Sequence, residues 1–285
     1  MNEVLAQKLA PYLGYITSIV PVGGGCIANA SRIETALGPY FLKWGNGEVV
    51  LTFEPEAAGL AVLAAADTAL RIPQVVASSG TNPGFLLMEW IVQGAKSPGF
   101  DVSFGEALAA LHRQSASSYG FTIDNFIGRT PQQNTWHTEW PAFFQACRLA
   151  PQVALARKNR LWQPAWDGPL ESLYKKLPNL LPKAPPASLL HGDLWGGNYM
   201  VSDAGAPVLF DPACYYGDRE TDLAMTTLFG GFSNTFYDAY AAAWPMEAGF
   251  MERRPVYNLY HQINHLNLFG GGYAGGISAV LRSYA

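Results

Sequence analysis

The stretch 191–211 constrains this 285-residue chain more than any other, because it combines polar side chains, sharp turns and two short apolar runs. It begins His-Gly-Asp-Leu-Trp-Gly-Gly-Asn and ends Phe-Asp, and its glycines allow abrupt backbone turns. Residues 199–201 and 207–210 predict two strands, and the turn-forming residues between them predict a hairpin. Such a hairpin returns Asp211 to the side of Asn198, with Asp193 between the two.

This arrangement favours phosphoryl-transfer chemistry. In the kinase pattern His-x-Asp-x-x-x-x-Asn, the Asp acts as a base, the Asn holds a metal ion, and a later Asp holds it as well. Asp193 is therefore the candidate catalytic base, and Asn198 and Asp211 are candidate Mg²⁺ ligands. A His-Gly-Asp tripeptide alone is usually a turn, and Asp-Pro usually starts a loop. The combination favours the catalytic interpretation if the upstream chain supplies an ATP site.

A glycine-rich turn lies between the predicted strands 15–22 and 30–34. Backbone N–H groups in such a turn can approach phosphate oxygens closely, so its residues are candidates for ATP binding. They are Gly23, Gly24, Gly25, Cys26 and Ile27. Three glycines also make an ordinary flexible hairpin, and no Gly-Lys-Ser/Thr follows to complete a Walker A loop.

Lys43 lies among apolar residues on the predicted strand 40–44, and burying an unpaired ammonium is costly. The predicted helix 54–66 offers Glu56 as a partner, and a Lys–Glu pair of this kind holds the α- and β-phosphates in kinases. Glu54 is the other candidate, although the helix dipole alone favours a carboxylate there. A lysine at a strand end can also simply extend into solvent. We expect Lys43 and Glu56 to bind the nucleotide together.

The apolar strand 85–90 runs into a short polar connection, where a two-lobed kinase would have its hinge. The backbone groups of Glu89 and Ile91 are therefore candidate contacts for adenine. The same pattern is typical of an ordinary buried strand.

Composition limits the class of protein. Hydrophobic residues make up 49% and charged residues 14%, which indicates a globular chain. A formal net charge of −4 argues against a dedicated nucleic-acid binder, and the longest apolar run is too short to span a bilayer. Three widely spaced cysteines and the absence of a visible signal peptide favour the cytoplasm. We expect a small-molecule partner, no nucleic acid, no membrane, and a monomer or dimer.

The fold class predicted is α+β, in two lobes of a protein-kinase-like fold. Residues 1–91 form a small β-rich ATP-binding lobe, and residues 92–285 form a larger, mainly helical lobe for catalysis and substrate binding. Helices are predicted in the second lobe at 104–114 (capped by Asp101 or Ser103), 140–149, 170–177, 222–229, 236–244 and 257–269. Only six residues separate Asp211 from Asp218, which leaves no room for an activation loop and favours a small-molecule kinase over a protein kinase.

The chain resembles the fructosamine kinase (ketosamine-3-kinase) family, relatives of the aminoglycoside phosphotransferases. The resemblance rests on Gly-Gly-Gly-Cys-Ile at 23–27, Phe-Ile-Gly-Arg-Thr-Pro-Gln at 126–132, the stretches 191–198, 211–213 and 216–220, and Asn-His-x-Asn-x-Phe-Gly at 264–270. These stretches are spread over nearly the full length. The resemblance implies a protein-kinase-like fold and phosphorylation of the sugar 3-hydroxyl of a ketosamine or glycated amine. The product then breaks down and frees the amine. The cofactors expected from the residues above are ATP and Mg²⁺.

Candidate substrate residues follow from the matched motifs. Trp195 and His265 are candidates for stacking on the sugar or its amine substituent, and Asp218 for meeting a cationic amine. Each also has a structural interpretation, as a core cap, a helix-packing residue and a helix cap. Leu266 and Leu268 replace the Trp and His of many relatives, which bears on the size and polarity of the pocket. The alternatives are a kinase of an aminoglycoside, choline or a sugar, and a nucleotide-binding scaffold without catalysis.

Overall fold

The computed structural model describes residues 3–23 and 28–285. Gly24, Gly25, Cys26 and Ile27, four of the predicted phosphate-loop residues, lie outside the described residues. Gly23 is described and follows the end of the first strand.

The first lobe is built on a five-stranded antiparallel sheet with the strand order β1-β2-β3-β5-β4. The strands are β1 (Ile16–Pro21), β2 (Asn29–Thr35), β3 (Gly38–Gly45), β4 (Val75–Ser79) and β5 (Gly84–Glu89). Lys43 of β3 lies opposite Leu86 of β5, so the lysine sits at the centre of the sheet.

Two helices, α1 (Glu3–Leu13) and α2 (Val50–Ala64), pack on this sheet. Leu5, Leu9 and Leu13 of α1 recur every fourth residue, which places them on one face of the helix. All three are fully buried against sheet residues such as Phe85. Helix α2 packs against β4 and β5 and carries Glu56 towards β3.

The second lobe is mainly helical and holds most of the larger hydrophobic core, which extends to Phe53 and Leu60 of α2 and to Leu86 of β5. Its helices are α3 (Phe100–Arg113), α4 (Trp140–Phe143), α5 (Ala150–Lys158), α6 (Asp167–Leu180), α7 (Glu220–Thr226), α8 (Asn234–Ala243), α9 (Phe250–Phe269) and α10 (Ala274–Arg282). A π-helical segment, Phe144–Leu149, joins α4 to α5. The α+β, two-lobed fold is confirmed. None of the described helices is long and apolar enough to cross a bilayer.

Short antiparallel pairs position the loops of this lobe. They involve β6 (Ser115–Ala116), β7 (Asn125–Ile127), β8 (Thr130–Gln132), β9 (Ala187–Leu190), β10 (Tyr199–Val201), β11 (Pro207–Leu209) and β12 (Tyr215–Gly217). Strand β10 pairs with β11, as predicted for the central stretch, and β9 pairs with both β6 and β12. Strands β7 and β8 form a separate hairpin.

Several predicted helix boundaries are wrong. The predicted helices 54–66 and 257–269 begin earlier, at Val50 and Phe250, and the predicted helix 222–229 runs from Glu220 to Thr226. Helix α3 begins at Phe100, after Gly99 in the left-handed conformation at φ 88°, and neither Asp101 nor Ser103 caps it. The Asp101 carboxylate instead accepts hydrogen bonds from Lys96 and Ser233, so contacts distant in sequence override its capping preference. The predicted helix 170–177 runs from Asp167 to Leu180 and includes Pro178 near its end.

Candidate active site

The Lys43 side chain forms hydrogen bonds with residues of both lobes. Its Nζ donates a hydrogen bond to Glu56 Oε1 at 2.6 Å, so the predicted Lys43–Glu56 pair is confirmed. The same Nζ also donates to Asp211 Oδ1. The side chains of Lys43 and Glu56 are both 14% exposed, whereas that of Asp211 is 42% exposed and faces the cleft. The contact joins the sheet, α2 and the end of the β10–β11 hairpin.

The Lys43 ammonium is the hydrogen-bond donor to two carboxylates, those of Glu56 and Asp211. Burial alone would lower the pKa of Lys43, but Asp211 and Glu56 together raise it above its usual value. Burial raises the pKa of Glu56 to about 7; Lys43 opposes that shift, and Asp211 adds to it. The trio therefore holds an excess of negative charge, which a bound cation would balance.

The hairpin brings Asp211 next to Asn198. The Phe210 N–H donates to Asn198 O at 3.2 Å, and His191 Nε2 contacts Phe210 O at 2.9 Å. Asp211 itself has φ 56°, in the left-handed region that non-glycine residues rarely adopt. Such strained backbone concentrates at functional sites, where the surrounding structure enforces it.

Asp193 and Asn198 form the second half of the cluster. The Asn198 Nδ2 group donates to Asp193 O at 2.8 Å and to Asp193 Oδ2 at 3.2 Å. In this orientation the amide oxygen is the atom of the Asn198 side chain that could bind a metal ion. Burial, with Asp211 adding to it, raises the pKa of Asp193 to about 7, while the Asn198 hydrogen bond opposes the rise. A carboxyl with this pKa is suited to accept a proton near neutral pH.

Sequence reasoning missed Asp222, a buried carboxylate that holds residues 191–198, the predicted catalytic loop. Its Oδ2 accepts the His191 N–H at 2.8 Å and its Oδ1 accepts the Gly192 N–H at 2.9 Å. His112 Nε2 lies 3.2 Å from Oδ2, so His112 is a packed helix histidine, as predicted. Burial alone would raise the pKa of Asp222, but His112 and the donors around it lower it. The available signal was an aspartate directly before the apolar residues 223–225 of α7.

Gly192 is required by a close backbone approach. It has φ 82°, and a Cβ at this position would lie 2.0 Å from Ala213 O. The Ala213 N–H donates to His191 O at 2.8 Å, so the catalytic loop and the segment after Asp211 run in direct contact.

The predicted hinge residues lie at the end of β5. The Glu89 N–H donates to Gln74 O at 2.9 Å, and its carboxylate accepts from Arg71 at 2.9 Å and from the Gln74 N–H at 3.0 Å. The Glu89 N–H is therefore already committed within the protein. Ile91 is buried at the start of the connection between the lobes.

The structure brings Trp195 and His265 onto one aromatic wall through Phe229, which the sequence did not identify. The Trp195 and Phe229 rings are 5.9 Å apart, and the Phe229 and His265 rings are 4.7 Å apart. Trp195 is 38% exposed and only two residues from Asp193. The wall continues through Tyr273, 5.0 Å from His265. Aromatic faces of this kind suit sugar rings and cationic amines.

Asp218 does not join that wall. It is 3% exposed, Tyr257 donates to its Oδ2 at 2.6 Å, and the Glu220 N–H donates to its Oδ1 at 3.0 Å. Burial, with Glu220 adding to it, raises the pKa of Asp218 to about 6. Both oxygens are engaged in the fold, so we leave Asp218 out of the substrate site proposed below. The salt-bridge partner of Glu220 is Arg253, at 2.6 Å.

The donors in the cleft fit Mg²⁺. The Asn198 amide oxygen and the Asp211 carboxylate are hard oxygen ligands, and Mg²⁺ in kinases takes few protein ligands and completes its shell with phosphates and waters. Across residues 3–23 and 28–285, no group of three His, Cys, Asp or Glu could hold a metal ion alone.

A sheet lysine paired with a glutamate of helix α2, and facing a carboxylate and an asparagine beside a β-hairpin, defines an ATP-dependent phosphotransferase with a protein-kinase-like fold. An aminoglycoside phosphotransferase bound to AMP-PNP and hygromycin B shares this fold. Its TM-score is 0.65 at 14% identity, with 98% of each chain covered.

Sequence comparison identifies the family to which this chain belongs. The model of the family described as fructosamine kinase matches residues 1–284, and the chain belongs to that family. A protein of Lactiplantibacillus plantarum named a probable ketoamine kinase is 41% identical over 94% of this chain and 95% of its own length. A protein-ribulosamine 3-kinase of Arabidopsis thaliana, described as chloroplastic, is 38% identical over 94% of this chain and 83% of its own.

A solved structure agrees. A Thermobifida fusca protein with the provisional name fructosamine-3-kinase superposes with a TM-score of 0.88 at 31% identity. The match covers 100% of this chain and 99% of that one.

Proposed function

We propose that this enzyme transfers the γ-phosphoryl group of ATP to the 3-hydroxyl of a ketosamine, a sugar joined to an amine, and so prepares the sugar for removal from that amine. The observation that carries the proposal is the convergence of Lys43, Glu56 and Asp211 beside Asp193 and Asn198. The names of relatives that match nearly the whole chain support the substrate class.

Each residue has a proposed role in this reaction. Lys43, held by Glu56, binds the α- and β-phosphates, and backbone groups of residues 23–27 cover the remaining phosphate oxygens. Glu89 and Ile91 remain the proposed adenine contacts, with Ile91 as the donor because the Glu89 N–H is committed. Residues 1–91 thus form the proposed nucleotide lobe.

Asp193 is the proposed catalytic residue. It accepts the proton of the attacking sugar hydroxyl while that oxygen bonds to the γ-phosphorus and the bond to the β–γ bridging oxygen breaks, releasing ADP. Asn198 fixes the Asp193 side chain through its amide nitrogen. Alignment and charge neutralisation supply most of the acceleration in such a loose transition state.

Asn198 and Asp211 are the residues that would hold Mg²⁺. When bound, Mg²⁺ neutralises charge on the β- and γ-phosphates. The excess negative charge of the Lys43–Glu56–Asp211 trio supports a cation at this position.

The proposed binding surface for the sugar that receives the phosphoryl group is the aromatic wall of Trp195, Phe229 and His265. Trp195 follows Asp193 by two residues, and the sugar and its amine substituent would stack on the three contacting rings. His265 Nδ1 contacts His261 O at 2.8 Å, and burial lowers the pKa of His265. The neutral ring therefore leaves Nε2 as an acceptor for a sugar hydroxyl or an ammonium.

The test is transfer from ATP to synthetic fructosyl-lysine and ribulosyl-lysine in parallel with an aminoglycoside, choline and free fructose. We expect phosphorylation of a ketosamine, with the phosphate assigned to the 3-position by ³¹P and ¹³C NMR. A 3-deoxy ketosamine is the matched control and remains unmodified. Turnover of the aminoglycoside or choline alone would identify a kinase of another hydroxyl compound, and no transfer to any acceptor would contradict the proposal.

A further inference from the structure

The β7–β8 hairpin formed by the motif at 126–132 lies outside the cluster described above. Asn125 and Gln132 face each other in its register, and they are 4% and 2% exposed. Buried amide side chains must find hydrogen-bond partners. Theirs lie on the chain immediately after Asp211.

These two amide side chains donate hydrogen bonds to two consecutive peptide carbonyls. Asn125 Nδ2 donates to Cys214 O at 2.7 Å, and Gln132 Nε2 donates to Ala213 O at 3.0 Å. Gln132 Nε2 also donates to Asn125 Oδ1 at 2.8 Å, which joins the two side chains. With the Ala213 N–H bound to His191 O, the post-Asp211 segment (residues 212–214) is held on both sides.

A chain of further hydrogen bonds fixes which way the two amides point. Tyr260 donates to Gln132 Oε1 at 2.6 Å, and Asn134 Nδ2 donates to Asn125 Oδ1 at 2.9 Å. Because both amide oxygens are engaged as acceptors, the amide nitrogens must face the post-Asp211 segment. Networks of this kind set a unique arrangement when every member is satisfied.

Arg148 anchors the far end of this network. It lies in the π-helical segment, is fully buried, and donates to Asn134 Oδ1 at 2.8 Å and to Gln133 O at 2.6 Å. Its guanidinium lies 3.8 Å from the centroid of the Tyr215 ring, and no carboxylate of the described chain forms a salt bridge with it. The charge-assisted bond therefore serves to orient Asn134 and, through it, the hairpin amides.

Helix α2 packs against the other side of the post-Asp211 segment. Cys214 Sγ contacts Gly59 O at 3.6 Å, and a Cβ on Gly59 would lie 3.4 Å from Pro212 and 3.3 Å from that sulfur. The same helix carries Glu56. The post-Asp211 segment is thus fixed between the hairpin and the helix that positions Lys43.

We propose that Gln132 and Asn125 are positioning residues for Asp211, and that their buried amides do by fixed hydrogen bonds what a movable activation loop does elsewhere. They hold the carbonyls of Ala213 and Cys214 so that Asp211 keeps its left-handed backbone and its carboxylate stays on Lys43 and at the metal position. The inference rests on the metal-binding role proposed for Asp211.

The test compares Gln132→Glu with Gln132→Met and Tyr260→Phe. Glutamate keeps the shape and the acceptor for Tyr260 but turns the donor towards Ala213 O into an acceptor, whereas methionine removes both functions. Tyr260→Phe removes one bond and leaves both donors in place. Trp166→Phe is the control, because it removes a buried hydrogen bond to Ser278 on the α10 side of the lobe.

Two measurements need no turnover: hydrogen exchange of the peptide 211–217, and binding of Mn²⁺–ADP followed by electron paramagnetic resonance. We expect Gln132→Glu and Gln132→Met to speed exchange and weaken Mn²⁺–ADP binding by about tenfold or more, since a buried acceptor loses its donor. Metal-free ADP affinity stays within about twofold, and Trp166→Phe changes neither measurement. If the Gln132 variants fail to fold, we expect Tyr260→Phe to speed exchange and weaken Mn²⁺–ADP binding in the same way, by smaller amounts.

Wild-type exchange and wild-type Mn²⁺–ADP binding in a folded Gln132→Glu variant would overturn the inference. Asp211→Asn separates this failure from failure of the proposed function. If Asp211→Asn binds Mn²⁺–ADP normally, the metal role of Asp211 is wrong. Faster exchange in the Gln132 variants alone, with metal binding unchanged, would likewise reject the positioning of Asp211.

Discussion

Lys43 and Asp211 are 168 residues apart in sequence and in direct contact in the structure. The contact links the five-stranded sheet to the end of the β10–β11 hairpin through a single ammonium, which also contacts Glu56. Removing that ammonium would leave two carboxylates facing each other without a counter-charge.

Lys43→Met is expected to lower kcat/KM by about 10²–10³, the cost of deleting one charged donor from a phosphoryl-transfer site. The KM for ATP should rise, because the phosphates lose their ligand. Steady-state kinetics at varied ATP measures both effects. Lys8→Met is the control, since the Lys8 ammonium donates to Thr81 O and Pro83 O in the connection between β4 and β5. Equal losses in the two variants would contradict the role of Lys43.

Asp193→Asn should reduce turnover by about 10²–10⁴ and leave ADP affinity nearly unchanged. It should also stabilise the free protein, because the folded pKa of Asp193, about 7, lies above its ordinary value of 3.8. An acid with a raised folded pKa costs stability once it ionises, and that cost builds up between about pH 4 and pH 7.

We therefore expect Asp193→Asn to raise the free energy of unfolding by about 1–3 kcal/mol at pH 8 and by nothing below about pH 4. Chemical denaturation at both pH values checks this. A stability gain that persists at pH 3.5 would show that the gain has another origin.

Gly192→Ala is expected to abolish activity and to destabilise the fold by about 2–4 kcal/mol, because it combines a positive φ with a backbone clash. The added Cβ would lie 2.0 Å from Ala213 O, and neither backbone can withdraw without moving the catalytic loop. Gly275→Ala is the matched control: nothing lies within 4 Å of its Cβ position, and it is helical. Thermal denaturation should show Gly275→Ala equal to or above the wild type.

Asp222→Asn should lower stability by about 2–4 kcal/mol at neutral pH, since the buried carboxylate loses its charge towards His112 and two loop N–H groups. The pKa of Asp222 is lowered in the fold, so its contribution is present above the unfolded pKa and is lost as pH falls through the folded one. The difference between wild type and variant should therefore shrink in strong acid. A constant difference from pH 7 to pH 2 would argue against an electrostatic role.

The sequence was sufficient for the parts of the site that depend on local spacing. The hairpin that returns Asp211 to Asn198, and the choice of Glu56 over Glu54 for Lys43, both followed from neighbouring residues and strand order. Glu54 instead accepts the Gly80 N–H at 3.0 Å.

The remaining features depend on contacts between distant segments. Asp222 reads as a helix-start carboxylate until α3 and the catalytic loop are placed around it. Phe229 gains a role only when α9 brings His265 to it. Asp218 was predicted to contact the substrate because it is acidic and lies in a matched motif. The Tyr257 hydroxyl, 39 residues further on, instead donates a hydrogen bond to its carboxylate.

The trio of Lys43, Glu56 and Asp211 also has a consequence for proton balance. Since burial raises the pKa of Glu56 to about 7, we expect Glu56 to retain a proton in a fraction of the molecules at neutral pH. If Asp211 binds a divalent ion as proposed, the ion should favour the ionised form of both carboxylates and release that proton into the medium. Loading of the cleft is therefore expected to acidify a weakly buffered solution, and the affinity for metal–nucleotide should increase as the solution becomes more alkaline.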